Sequence, residues 1–536
     1  MSIRHLDDFF DPASVAVIGA STRPGSVGAT VWHNLRRGRF AGPVWAVNKH
    51  HRVVDDEPAF ASVTDLPAAP ALAVICTPAA SVTGLIKQLG ARGTRAAVVL
   101  TAGFTPRQKQ MVLNAARPHL LRIIGPNCMG LLSPAIGLNA SFSHADIGAG
   151  SLAFVSQSGA LVAAMLDWAR GRGIGFSRLV SLGEHADVDF GDMLDWLASD
   201  AQTRAVLLYV ESISEARKFM SAARACARNK PVLVVKAGRS SAGQRAASSH
   251  TGAMAASDQV IDAAIRRAGM LRVDSLQDLF IAAETLAYFS TPARGADRAT
   301  MERLMLVTNG GGAGVLAADE ASMLGLELAP LTEATRTALD AGLPGNWSRA
   351  NPVDIIGDAP VERYVHTLGV LLAQPDAGTL LFMHAPTAIV PATEIARALV
   401  PLARAHPGRL VSAWLGDAAV AEARRLFHEA GIPTYDTPEQ AVRALAMLRT
   451  YRRNQEQLTE APPARSASAS QAAPFDLDTV RALVSRAIKA GQEWLGEADA
   501  KALLAACGVP VVPARAWSNP PLRPRPTPPR PWVCRR

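Results

Sequence analysis

The chain has 536 residues, 49% of them hydrophobic and 19% charged, with a formal net charge of +9. At roughly 150 residues per domain this length holds three or four cores, and the apolar content excludes a chain that stays unfolded. The charge does not mark a polyanion binder: residues 518–536 carry five arginines and no acid, removing them leaves +4, and no basic run remains, so a small anionic ligand is expected and nucleic acid is not.

The amino terminus, MSIRHLDDFFDPAS, lacks the basic and apolar stretches of a signal peptide, and no apolar run approaches the roughly 18 residues of a membrane span. No membrane association is expected, and the compartment is read as cytoplasmic. Five cysteines, at 76, 128, 226, 507 and 534, are an odd set without a CxxC pair, which points to neither a disulfide framework nor a zinc site; no metal centre is expected.

Along the chain one plan recurs: a short apolar β-branched run, a Gly/Ser loop, then an amphipathic helix. It opens at Ser14 (SVAVIGASTRPGSVGATVW), at Leu152 (LAFVSQSGALVAAMLDW) and at Leu304 (LMLVTNGGGAGVLAADE). Further apolar runs follow each opening: ALAVICT and RAAVVLTAGF, then RAVLLYVES and KPVLVVKAG, then GTLLFMHAP and RLVSAWLG. Continuous apolar strands alternating with helices predict an α/β protein of three successive doubly wound parallel sheets, over 8–135, 148–292 and 300–450. Such sheets bind ligands at the carboxyl ends of their strands, where the small-residue loops fall.

After residue 450 a polar stretch rich in Pro, Ser and Ala reads as a linker over 451–477. Residues 478–517 read as two helices and a strand that begin another domain. The proline density of 518–536 permits neither helix nor sheet and marks a disordered arm or a truncated or frameshifted end, the second being favoured.

In the first loop, Gly19, Ser21, Gly25 and Val27 lie between strand and helix at a spacing that is not GxGxxG; the longer turn suits a larger phosphate group, although a tight turn without ligand has the same pattern. CTPA, with Thr77 and Pro78, and GPNCMG, with Asn127 and Cys128, follow apolar strands and would line the same crevice. Ser156, Gln157, Ser158 and Gly159, and again Gly310, Gly311 and Gly312, stand between strand and helix without the lysine of a P-loop. Each is compatible with an ordinary capped helix or with a helix N-terminus that holds one phosphoryl group.

His250 stands among Ser248, Ser249, Thr251 and Gly252, with neither a large side chain to pack on it nor further metal ligands nearby. Two bare helix termini and an isolated imidazole together suggest a histidine that carries a phosphoryl group, whose roughly two negative charges need such cradles. Glu211, just past the apolar run AVLLYV, could accept the imidazole Nδ1–H and leave the other nitrogen as nucleophile; a solvated strand end is the alternative. His144, His185 and His384 are read as structural or surface residues.

The ordered set SVAVIGAS with PGSVG, CTPA, IGPNCMG, FVSQSGA, YVES, SSHTGA, TNGGGAG and NPVDIIGDA, over about residues 8–450, resembles the NDP-forming acyl-CoA synthetases, which include ADP-forming acetate–CoA ligases and relatives of succinyl-CoA synthetase. The resemblance implies a Rossmann-like CoA-binding domain followed by two flavodoxin-like ligase domains. It also implies that His250 is the phosphorylated histidine, Glu211 its partner, and SQSGA and NGGGAG the two helix termini facing it. Acyl-CoA and phosphate would pass through acyl phosphate and phosphohistidine to ADP or GDP. That last step needs Mg and an ATP-grasp domain, of which AKALLAACGVPVV looks like an incomplete start. The implied partner is therefore a separate ATP-grasp β-type subunit, or a homo-oligomer. DVDFGDMLDWLASD and NPVDIIGDAPVERY also look close to the synthetase-like region of bacterial protein lysine acetyltransferases, which makes a non-catalytic acyl-CoA sensor the alternative.

Overall fold

The computed structural model describes residues 3–171, 173–251, 257–288, 302–460 and 476–512, with the backbone alone for 247–251, 287–288 and 375. They divide into two units, Met1–Glu460 and Ala461–Arg536.

The first sheet contains β1 (Val15–Ile18), β2 (Val44–Val47), β3 (Val53–Val54), β4 (Glu57–Phe60), β5 (Leu72–Ile75), β6 (Ala96–Val99) and β7 (Arg122–Ile124), in the order β3-β4-β2-β1-β5-β6-β7. Apart from the short antiparallel β3, its strands are parallel and give the 3-2-1-4-5-6 order of a Rossmann sheet. β1, β5 and β6 are buried at every position because helices cover both faces.

The second sheet contains β8 (Gly130–Ser133), β9 (Leu138–Ser141), β10 (Ala149–Ser156), β11 (Phe176–Ser181), β12 (Ala205–Val210), β13 (Val232–Lys236) and β14 (Leu271–Val273), in the order β14-β13-β12-β10-β11-β8-β9. Its parallel part has the flavodoxin-like order 2-1-3-4-5. The third sheet repeats that order with β15 (Leu304–Thr308), β16 (Val353–Asp354), β17 (Thr379–His384), β18 (Leu410–Trp414) and β19 (Thr434–Tyr435). Three doubly wound sheets are what the strand–helix alternation predicts, and one Rossmann-like and two flavodoxin-like sheets are what the family resemblance implies.

Two expected boundaries fall inside elements of the structure. The limit at 135 falls inside the β8–β9 hairpin, which pairs antiparallel with β11 and so belongs to the second sheet. The limit at 450 falls inside the helix Pro438–Thr459, so its last turns are not linker. The polar residues there are in use: Asn454 Nδ2 donates to Met270 O at 2.7 Å and Gln455 Nε2 to Gly269 O at 2.6 Å, while Leu458 is 3% exposed.

In the second unit the two expected helices form, Leu477–Lys489 and Glu497–Ala506, tied by Asp476 N–H to Ala506 O at 2.8 Å. The expected strand does not form over 509–512. Residues 461–475 and 513–536, with most of the expected linker and the arginine-rich end, lie outside the described residues. Among the described residues no helix is long and apolar enough to cross a membrane.

Candidate active site

A doubly wound sheet opens a crevice where neighbouring strands send their connections to opposite faces. In the first sheet that point lies between β1 and β5, and in the second between β10 and β12. Both open on one cavity of about 1080 Å³. Its first wall includes Val27, Thr77, Pro78, Asn127 and Cys128; its second includes Gln157, Ser158, Gly159 and Glu211.

The first wall is built at strand ends. Ser26 caps the helix Val27–Arg37 by accepting from Ala29 N–H at 3.3 Å. Gly28 lets that helix settle on the turn after β1, since a Cβ there would overlap Gly19 O. Thr101 Oγ1 donates to Thr77 O at 2.6 Å and Asn127 N–H to Thr101 O at 2.9 Å, so the ends of β5, β6 and β7 are chained in order. The loop 125–127 is then fastened to the loop after β11: Glu184 N–H donates to Pro126 O at 2.9 Å and Ala186 N–H to Gly125 O at 3.1 Å. These bonds join the two sheets at the cavity.

In the second wall Ser156 Oγ accepts from Ser158 N–H at 3.0 Å and donates to Ser158 O at 2.8 Å, which turns the chain into the helix Gly159–Gly171. The first N–H groups of that helix have no intrahelical acceptor and, with the dipole, present positive potential. The Gln157 amide is turned away to the end of β12, where Oε1 accepts from Glu211 N–H at 2.5 Å and Ser212 N–H at 2.9 Å.

Charge in the lining is sparse. Lys109 Nζ lies 2.8 Å from Glu184 Oε2. Burial lowers the His185 imidazole below its ordinary range, against the opposing pull of Asp189, Glu184 and Glu211. Burial also pushes the Cys76 and Cys128 thiols up to about 12, and Cys128, 3% exposed, points its sulfur at Val99 O at 3.4 Å.

Of the residues singled out from sequence, nine meet in this cavity. Gly19, Ser21 and Gly25 shape the turn behind Val27 without lining it, the Ser21 hydroxyl accepting from Arg23 N–H at 3.0 Å. Ser156 is fully buried and serves the turn. Cys128 contributes wall and no reactive thiol. Gly310, Gly311 and Gly312 stand at the start of the helix Gly311–Met323 in the third sheet and are not among the lining residues. His250 falls within the helix Ser241–Thr251, and its side chain lies outside the described residues.

Sequence reading missed Lys109, Phe142, Glu184 and Ser212–Ser214, and it set aside His144 and His185, all of which line the cavity. The signal for His185 was present: the apolar run FSRLVS followed by GEHAD is another strand end in the same sheet. His384 is fully buried, as a structural residue is.

Comparison with known proteins gives the same three-part division. Residues 13–134 match the CoA binding domain model, 149–286 the succinyl-CoA ligase like flavodoxin domain, and 304–459 the Ligase-CoA domain. A CoA-binding sheet followed by two ligase sheets defines the acid–thiol ligases. The chain is 34% identical over 457 residues to the α subunit of Acetate–CoA ligase [ADP-forming] I from Pyrococcus furiosus, covering 83% of this chain and 97% of that one. It is 36% identical over 452 residues to Acetate–CoA ligase [ADP-forming] I from Archaeoglobus fulgidus, covering 83% of this chain but 64% of the relative. An acetyl-coenzyme A synthetase from Ca. Korarchaeum cryptofilum, solved with phosphate and ADP, superimposes with a TM-score of 0.78 at 33% identity, covering 84% of this chain and 98% of that one. The chain belongs to the ADP-forming acetate–CoA ligase family, as a component of α-subunit type. These three relatives are ligases or synthetases, and the acyl-CoA sensor reading gains no support from them.

Proposed function

We propose that the chain carries the CoA-binding and phosphohistidine-forming half of an NDP-forming acyl-CoA ligase. The observation that carries this reading is the single cavity into which the β1/β5 and β10/β12 strand ends both open. An acyl-CoA held by the first wall brings its thioester toward the helix start at Gly159, where the free N–H groups attract inorganic phosphate. A phosphate oxygen attacks the thioester carbonyl, the C–S bond breaks, and CoA leaves as thiolate with acyl phosphate as the other product. The imidazole of His250 then attacks phosphorus, the bond to the acyl oxygen breaks, and the carboxylate leaves. Glu211 accepts the Nδ1–H, which fixes the tautomer and stabilises the cation formed on attack. Phosphohistidine finally donates to ADP or GDP on an ATP-grasp partner, whose Mg would offset the charge between the nucleotide phosphates. The α-subunit likeness supports such a partner, and Gly310–Gly312 are proposed as the second helix terminus facing the phosphorylated His250.

The test is phosphate-dependent thiol release. The full chain with acetyl-CoA should liberate close to one equivalent of CoA thiol per chain, and only when phosphate is present. Multiple turnovers without phosphate would indicate simple thioester hydrolysis and sink the reading.

A further inference from the structure

We infer that Gln157 is a positioning residue that sets Glu211, and not a phosphate ligand; the inference rests on the function proposed above. Gln157 is 6% exposed, and its hydrogen-bonding groups are directed at β12. Its backbone N–H donates to Tyr209 O at 3.2 Å, its Oε1 accepts from the N–H groups of Glu211 and Ser212 at 2.5 and 2.9 Å, and its Nε2 donates to Ser212 Oγ at 3.2 Å. Two N–H groups fill the acceptor, and Ser212 takes a donor. A phosphate oxygen needs donors, and of the two N–H groups of this amide one is given to Ser212.

The clamp acts where β12 leaves the sheet and its ladder to β13 ends, so the next two N–H groups need another acceptor. Gln157 supplies it from the neighbouring strand, with Ser156 in register with Tyr209. Holding those two N–H groups fixes the backbone at Glu211, and with it the direction from which the carboxylate enters the cavity that Gln157 and Glu211 both line.

The third sheet contains the same device. Thr308 Oγ1 accepts from Gly310 N–H and donates to Gly310 O, both at 3.0 Å, as Ser156 does to Ser158. Asn309 then exchanges two bonds with Ala385 at the end of β17, Oδ1 accepting from Ala385 N–H and Nδ2 donating to Ala385 O, both at 2.8 Å. The sequence pattern of hydroxyl, amide, small residue and glycine therefore encodes a clamp on the adjacent strand's end. What the clamp does depends on the residue it holds: an alanine in the third sheet and a carboxylate in the second.

Phosphoryl labelling of the full chain by acetyl-CoA and radiolabelled inorganic phosphate separates the roles. In Gln157→Ala the rate at saturating phosphate should fall by about 10- to 100-fold, as misplaced catalytic groups do, with half-saturating phosphate changed by less than about 3-fold. In a Glu211→Gln background the same substitution should add less than about 2-fold, because its effect passes through Glu211. If Gln157→Ala does not fold, Gln157→Glu keeps an acceptor for both N–H groups; a carboxylate touching phosphate would raise half-saturating phosphate by about tenfold or more, whereas a clamp predicts less than about 3-fold. A large rise in half-saturating phosphate with the full rate at saturation, or equal slowing in both backgrounds, overturns the inference alone. An unlabelled wild-type chain overturns the functional reading and this inference with it.

Discussion

A Cβ built on Gly183 would overlap the carbonyl oxygens of Pro126 and Asn127, so the loop after β11 meets the loop after β7 backbone to backbone. With φ of +55° Gly183 also occupies the left-handed region, and Asn127 opposite it does so at +56°. This contact joins the first wall of the cavity to the second. Gly183→Ala must push the loops apart and should lower the melting temperature by about 5 °C or more, with CoA affinity reduced about tenfold. Unchanged melting and binding would show that the walls do not depend on this contact.

Ligand class follows from the first wall. Isothermal calorimetry should show CoA and acetyl-CoA binding and NAD not, because the turn Gly19–Val27 is longer than a dinucleotide turn. Asn127→Gly keeps the left-handed backbone and removes only the amide; it should weaken CoA binding by about 3- to 30-fold without lowering stability. Tight NAD binding in place of CoA would refute the assignment.

The cysteines of the core offer a check on burial. Cys128 and Cys226 are at most 3% exposed and their thiols are pushed up to about 12 by burial, so iodoacetamide at pH 8 should leave both unmodified in the native chain and label both after denaturation. Rapid native labelling of Cys128 would mean that the cavity wall is open behind Asn127.

His384 predicts a pH dependence. It is fully buried among Tyr364, Phe382 and Trp414, and burial lowers its pKa from 6.5 to about 4. Between those values the unfolded chain binds a proton that the folded chain refuses. The stability due to the neutral imidazole is therefore whole above about pH 6.5 and is lost as pH falls toward about 4. His384→Phe should flatten urea midpoints across that window relative to wild type; identical slopes would contradict the burial argument.

The central strands β1, β5, β6, β10, β12, β13, β15, β17 and β18 were legible because each is a short, largely apolar run, and such signals are local. What escaped was set by partners distant in sequence. The β8–β9 hairpin reads as the tail of the first domain until its pairing with β11 assigns it to the second. The helix end 451–459 reads as linker because its polar residues give no hint that Asn454 and Gln455 bond the backbone at 269–270. In the site, residue types were visible and roles were not. Gln157 in SQSG suggests an anion cradle, and only its hydrogen bond to Glu211, 54 residues on, points to the clamp inferred above. His185 carried no pattern beyond its position near a strand end, and Lys109, inside the helix Pro106–Ala116, carried none.

Phosphorylation of His250 tests the central claim most directly. The purified full chain is given acetyl-CoA and inorganic phosphate, and the phosphorylated residue is located by mass spectrometry under alkaline conditions. The account predicts an acid-labile phosphoryl group on His250, absent in His250→Asn and formed about 100-fold more slowly in Glu211→Gln, with ATP labelling the chain only after an ATP-grasp partner is added. A chain that binds acetyl-CoA but places no phosphoryl group on His250, even with that partner present, would contradict it.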